Sequence, residues 1–263
     1  MARRPRKARL VCHVSWHTNR VRGRRILPDV TTQPIPDYCG AHAAVESFQS
    51  RATILDAELG LSFPTLSILH LIDLIRDHEA RATTLVQKRE VKDNEYAFKL
   101  LKSNGVVSKE DYDAAPPSEH GFTKNVQGLK HYRIEDYEVC SLKKSPFAEG
   151  AQEPMIPMAV NQIADEGPLY GWFALEDSFY SARHGIYRAP SVKAVGGDDV
   201  RLRTHAMLLF GFGTSGRTRR SPATSVFMYQ NNWGVHHHVR GRGVMEAKVI
   251  MGVIAPLVVR NWD

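Results

Sequence analysis

Cysteine is scarce in this chain: Cys12, Cys39 and Cys140 are the only three among 263 residues. Three thiols build no disulfide framework, and neither C-x-x-C nor a zinc-type spacing occurs. Long apolar runs are missing too. The longest candidate, Val249 to Val259, is shorter than the roughly 18 residues a membrane helix needs and holds Gly252 and Pro256. No membrane partner is therefore expected. Acidic residues are absent before Asp29, while Arg3, Arg4, Arg6, Lys7, Arg9, Arg20, Arg22, Arg24 and Arg25 precede it. Removing these nine charges from the formal net charge of +7 leaves −2, so the basicity belongs to one end and the body is slightly acidic. Residues 1–25 read as a basic, disordered tail, with nuclear targeting, transit or nucleic-acid binding as its possible uses. Nucleic acid is expected as a partner only through that tail. No h-region or A-x-A-like cleavage site marks a secretory signal. With Met1 as the true start, the expected location is the nucleus, cytosol or a plastid. A lost upstream pre-pro segment would point instead to a vacuole, a lysosome or the outside. Also lacking are a G-x-S-x-G elbow and a Walker A loop.

What is present suits a globular domain: 43% hydrophobic and 24% charged residues, in a length that buries a real core. Ile26 to Tyr38 carries Pro28, Pro34 and Pro36 and reads as an extended loop. Ala41, Ala44, Val45 and Phe48 then recur at helical spacing, which places Cys39 in a first helical turn. Leu66, Leu69, Ile72 and Ile75 predict a second helix starting at Thr65. A third, capped by Asp93 or Asn94, runs through Phe98 and Leu101 to Gly105. After a short helix at 156–164 come strand-like runs at 169–175, 206–212, 226–229 and 244–250. Helices first and strands later predict an α+β fold with two lobes.

Four features carry chemistry. A cysteine at a helix N-terminus meets unpaired N–H groups and the positive end of the helix dipole, which favour thiolate at Cys39. His205, just before the apolar run Met207 to Phe210, is a candidate general base. Asn231, after the next strand, offers an amide that would hold an imidazole, with Trp233 beside it to keep water off. Gln33, six residues before Cys39, offers an amide that would donate to an oxyanion formed there.

In chain order these pieces resemble the papain family of cysteine peptidases: Gln-x5-Cys-Gly, then His-Ala before an apolar strand, then Asn-x-Trp-Gly. The resemblance runs from about residue 26 to the end. Ser67 to Ile75 is similar to the family's second helix, and Asn94 to Tyr112 to its helix, glycine turn and tyrosine segment. Asp177 to Tyr180 with His184 to Tyr187 resembles its D-F-x-x-Y-x-x-G-I-Y block, and Pro256 to Asn261 its last strand. The resemblance implies a papain-like α+β fold over 26–263, with a helical lobe at about 26–130. An antiparallel, barrel-like lobe would follow at about 131–263, and the site would lie in the cleft between them. It implies that Cys39 attacks as thiolate, His205 pairs with it, Asn231 orients His205, Gln33 completes an oxyanion hole and Trp233 shields the pair. It also implies polypeptide substrates, protein inhibitors of cysteine peptidases as partners, and neither metal nor cofactor.

The chain departs from the family pattern in places. Gly40 stands where the family carries Trp or Tyr, and Pro36-Asp37-Tyr38 replaces the usual C-G-S/A approach. Thr84 to Glu90 replaces a glycine-rich cleft segment, and His236-His237-His238 replaces a second W-G pair. His205 and Asn231 lie 166 and 192 residues after Cys39, beyond the family's figure of about 130–150. These departures define the alternative, a catalytically inactive papain-fold homologue acting as a binding or regulatory protein. Three motifs are set aside. Gly211 to Gly216 matches G-x-G-x-x-G but is followed by a basic, proline-containing stretch, so a turn is expected. The three adjacent histidines point different ways on a strand and read as surface residues. Cys39-x-x-His42 has no second ligand pair nearby.

Overall fold

The computed structural model describes residues 9–33, 35–90, 93–118, 124–141, 155–181, 185–188, 203–216 and 223–260. Its helices are α1 (Cys39–Glu58), α2 (Ile68–Arg81), α3 (Leu85–Glu90), α4 (Tyr96–Ser103), α5 (Lys109–Ala114), α6 (Met155–Asp165) and α7 (Asp177–Ser181). The strands are β1 (Arg9–Ser15), β2 (Arg20–Val21), β3 (Arg24–Arg25), β4 (Asp136–Ser141), β5 (Leu169–Ala174), β6 (Ile186–Tyr187), β7 (Thr204–Gly216), β8 (Thr224–Gln230), β9 (Arg242–Glu246) and β10 (Ile250–Leu257). The mixed α and β class and the order of helices before the main strands match expectation. Seven strands follow the order β4-β10-β5-β7-β8-β9-β6, and β1 adds to β7. Every pairing is antiparallel except β6 with β9.

Alternation along the strands sends side chains to two faces. On β5, Tyr170 and Trp172 join Phe48, Leu71, Phe98 and Leu101 in a core beneath α1, α2 and α4. Leu169 and Phe173 face the other way and join Met207, Phe227, Ile163 and Val253 beneath α6. All six residues of β5 are buried, because helices cover both sides. Each fully buried Phe or Leu contributes about 1.5–3 kcal/mol. Arg51 joins the two sides. From α1 it donates to the carbonyls of Pro168 (3.1 Å), Pro256 (3.0 Å) and Gly167 (3.4 Å) and to Gln162 Oε1 (3.0 Å).

Several local expectations need correction. The basic segment is not a tail throughout: Arg9–Ser15 forms β1, and Arg20–Val21 pairs with Arg24–Arg25. Local composition hides β1 because its partner lies about 200 residues away; Arg9 pairs with Gly216 and Ser15 with Gly211. Residues 1–8 lie outside the described residues. The glycine motif is not a turn but the far end of β7. A Cβ at Gly211 or Gly213 would collide with the carbonyls of Val14 and Val11, so glycine lets β1 approach there. The cap of α2 is Ser67, whose side chain accepts from the His70 N–H, rather than Thr65. The final strand ends at Leu257, so within the described residues 256–260 only the first two are strand; Asn261 lies outside the described residues. The Thr84–Glu90 segment forms the short α3 from Leu85 onward.

Candidate functional site

Helix α1 starts at Cys39. The chain reaches it through Asp37, whose φ of +70° lies in the left-handed region that a non-glycine residue rarely adopts. Tyr38 occupies the N-cap position without a side-chain hydrogen bond. No acidic residue lies in the first turn, so the amide end of the helix is left to act on Cys39. The expected lowering of the thiol pKa does not follow. Burial pushes the Cys39 thiol up, and hydrogen bonds to the backbone of Ala206 and Gly40 only partly offset it. Desolvation outweighs the backbone groups because half-buried Cys39 packs against the core beneath α1.

Gly40 lies against a tyrosine. A Cβ at this position would lie 3.5 Å from the hydroxyl of Tyr170. That buried phenol comes up from β5 and donates to Asn94 Oδ1 at 2.7 Å. Tyr170 lies beside the start of α1, in ordinary van der Waals reach of any side chain at position 40.

His205 sits near the start of β7, only 3% exposed. Phe173 is its cross-strand neighbour on β5. The Trp233 ring lies 4.5 Å from the imidazole between centroids, and Phe173 and Phe179 lie at 5.8 and 6.3 Å. This apolar wall drives the imidazole pKa down to about 4, against the opposing hydrogen bond that the ring donates to Asn231.

Asn231 follows β8 and is fully buried. Its Oδ1 lies 2.9 Å from His205 Nε2 and also accepts the Asn232 N–H at 2.9 Å. A backbone N–H only donates, so the amide orientation is set. His205 Nε2 must then carry the proton, which leaves Nδ1 as the basic nitrogen of the neutral ring. Tyr180 stacks on the outer side of Trp233, with centroids 5.0 Å apart and planes within 1°.

The structure thus brings His205, Asn231 and Trp233 together. Cys39 meets this group through Ala206, the residue after His205; among the described residues its thiol makes no hydrogen bond to the imidazole. Gln33 is placed differently from expectation. Its Nε2 donates to the carbonyl of Ile35 at 2.8 Å, and its Oε1 is buried without a partner. The proline-rich loop turns the amide onto itself rather than forward to the cysteine.

Asn232 is a site residue the sequence reading passed over. Its Nδ2 donates to the carbonyls of both Cys39 and Ala206 at 3.2 Å. It clamps the start of α1 to the strand carrying the histidine. The Asn231-Asn232 doublet was the available signal, but which amide serves which partner depends on the turn after β8. His42 and Glu46 were also missed as a pair, although they follow Cys39 at i+3 and i+7 on one helix face. Among the described residues no cluster of His, Cys, Asp or Glu is arranged to hold a metal ion. Of the three adjacent histidines, His236 and His237 are exposed as expected, but all three lie in a turn rather than on a strand, and His238 turns inward toward Tyr229 and Phe179.

In comparison with solved structures, the fold resembles that of papain-like cysteine proteases. The digestive procathepsin L2 proteinase of Tenebrio molitor superposes with a TM-score of 0.61 at 17% identity, over 89% of this chain and 65% of that one. This chain therefore spans just under two thirds of that proenzyme. Bromelain from Ananas comosus, solved with the E64 inhibitor, gives 0.60 at 16% identity over 94% and 98% of the two chains. Procathepsin B S9 of Trypanosoma congolense gives 0.57 at 15%, over 88% and 72%. No protein-family model and no curated protein matches the chain. At these identities the likeness is one of fold.

Proposed function

We propose that this chain is a cysteine peptidase that hydrolyses peptide bonds through an acyl-enzyme intermediate, in a papain-like arrangement of two lobes with the site in the cleft between them. The observation that carries the reading is the His205–Asn231 pair. An amide oxygen pinned by the Asn232 N–H holds the Nε2 proton and leaves Nδ1 free to accept another. Burial favours neutral thiol and neutral imidazole at rest. The proton therefore moves from Cys39 to His205 Nδ1 as the sulfur attacks the scissile carbonyl, and the resulting imidazolium returns it to the leaving amine. Water then adds to the thioester, giving its proton to the same nitrogen. The Cys39 N–H faces the developing oxyanion; Gln33 joins it once its amide releases Ile35. Polypeptides are the substrates, and protein inhibitors of cysteine peptidases are the partners this site would accept.

A second reading, an inactive homologue serving as a binding module, is favoured by the raised thiol pKa and by the turned-away Gln33 amide. Two measurements separate them. Cys39→Ala should abolish hydrolysis of a fluorogenic peptide library, and an epoxide thiol inhibitor should label Cys39 far faster than Cys12 or Cys140. Hydrolysis that survives the substitution sinks the peptidase assignment, and equal slow labelling of all three thiols supports the inactive reading.

A further inference from the structure

Beneath the Cys39 end of α1 runs a buried polar network that the peptide chemistry leaves unused. His42 and Glu46 are each 2% exposed. Thr31, from the loop before the helix, stands between them, with its Oγ1 2.9 Å from His42 Nδ1 and 3.0 Å from Glu46 Oε1. The other carboxylate oxygen, Oε2, faces Gln230 Nε2 at 3.4 Å. The orientation of Gln230 is set by Arg242, whose Nε and Nη2 donate to its Oε1 at 3.1 and 2.7 Å. A guanidinium only donates, so the Gln230 amide nitrogen lies on the Glu46 side, facing Oε2 together with the carbonyls of Pro28 at 3.4 Å and Asp29 at 3.5 Å.

The ends of the network are the segments of the site. The Thr31 carbonyl accepts from the Gly234 N–H at 3.0 Å, and the Gln33 N–H donates to the Asn232 carbonyl at 2.7 Å. Gln230 directly precedes Asn231. Movement at Thr31 or Gln230 is thus carried to the residues around His205.

Counting protons defines two states. The Thr31 hydroxyl holds one proton, and His42, which burial keeps neutral by driving its pKa down to about 4, holds one more. When Glu46 is ionised, Thr31 donates to Oε1 and His42 donates from Nδ1 to Thr31. When Glu46 is protonated, its proton cannot sit on Oε2, which already faces an N–H donor. Oε1 then donates to Thr31, Thr31 donates to His42 Nδ1, and the His42 proton lies on Nε2. One solvent proton is taken up overall. His42 Nε2 is buried with no hydrogen-bond partner among the described residues, so it is unpaired in both states. Burial pushes the Glu46 carboxyl up to about 8, opposed by Thr31, Gln230 and Arg242. Arg242, from β9, is the charge that faces Glu46; it is itself faced by Arg25 and Asp29.

We propose that Thr31, His42 and Glu46 form a proton relay that positions the Gln33 and Asn231 segments and reverses both Thr31 hydrogen bonds when Glu46 gains or loses its proton. The effect on turnover rests on the peptidase reading; the relay itself does not. The test is ¹⁵N NMR of the full chain from pH 5.5 to 10, beside a peptide-hydrolysis pH profile. In the wild type, His42 should change from Nε2–H to Nδ1–H with a midpoint near 8, and the amides of Gln33 and Asn232 should shift with it. In Glu46→Gln the amide nitrogen keeps donating to Thr31, so His42 should stay Nε2–H throughout and any inflection of the rate near that pH should vanish. Thr31→Val should uncouple His42 from pH. A single His42 tautomer across the range in the wild type overturns the relay, as does a switch that persists in Glu46→Gln. If His42 switches but the wild type hydrolyses no peptide, the relay stands and the peptidase reading falls. If hydrolysis is present and His42 never switches, the reverse holds.

Discussion

Replacing Asn231 with alanine tests the assignment at its most exact point. In the folded chain Asn231 Oδ1 accepts from His205 Nε2 and from the Asn232 N–H, both at 2.9 Å, in a fully buried position. The substitution strands two donors where water does not reach, which costs about 1–3 kcal/mol for each buried group left unpaired. It also frees His205 to place its proton on Nδ1, the nitrogen that must accept the thiol proton. During the reaction the ring becomes imidazolium, and a hydrogen bond to a charged group contributes about 1.5–3 kcal/mol. At 1.36 kcal/mol per decade this predicts a fall in kcat/KM of roughly 10- to 150-fold. KM should change less, because Asn231 is buried away from substrate. The assay is steady-state hydrolysis of a fluorogenic peptide, with denaturant midpoints recorded in parallel so that lost rate is separated from lost fold. Asn231→Asp is the informative companion. It accepts the same two bonds, and its carboxylate should raise the His205 pKa from about 4 and move the acid limb of the rate profile upward. An Asn231→Ala protein that folds and keeps kcat/KM within about twofold, well inside that expected loss, refutes the tautomer argument.

Two further predictions concern stability. His42, His70 and His205 are each held down to about 4 by burial, whereas an unfolded histidine titrates near 6.5. The unfolded chain therefore binds more protons between these values, so the stability these neutral rings allow is present above pH 6.5 and is lost as pH falls toward 4. Glu46 acts in the opposite sense, its burial penalty growing as pH rises from about 4.5 to about 8. Urea denaturation should show a loss of a few kcal/mol between pH 6.5 and 4.5, and His70→Phe should flatten it; a flat wild-type curve refutes the assignment. Gly213→Ala should drive a methyl group into the Val11 carbonyl and separate β1 from β7. The expected cost is about 2 kcal/mol, read as a lower thermal midpoint and faster amide exchange in residues 9–15; unchanged exchange there argues that β1 does not pack as described.

Sequence patterning by itself determined a good deal. Cys39 at the start of a helix, the helices through Leu71 and Phe98, and the strands through Phe173, Leu209 and Tyr229 all follow from local periodicity, while the motif order made His205, Asn231 and Trp233 candidates through the family resemblance. Those signals are local because helical and strand repeats are set by neighbours in the chain. Tertiary structure alone decided whatever depends on distant partners. It made a strand of Arg9–Ser15, because β7 supplies the missing hydrogen bonds. Tyr170 takes the space beside Gly40 only once β5 lies under α1. The Cys39 thiol is raised rather than lowered, because burial is a property of the assembled core and here exceeds the pull of the helix end. The Gln33 amide bonds to Ile35 rather than reaching the cysteine, because the loop's own turn brings that carbonyl closer. His42 and Glu46 share a helix face already in the sequence, but only packing against Thr31, Gln230 and Arg242 turns that face into a buried hydrogen-bonded network.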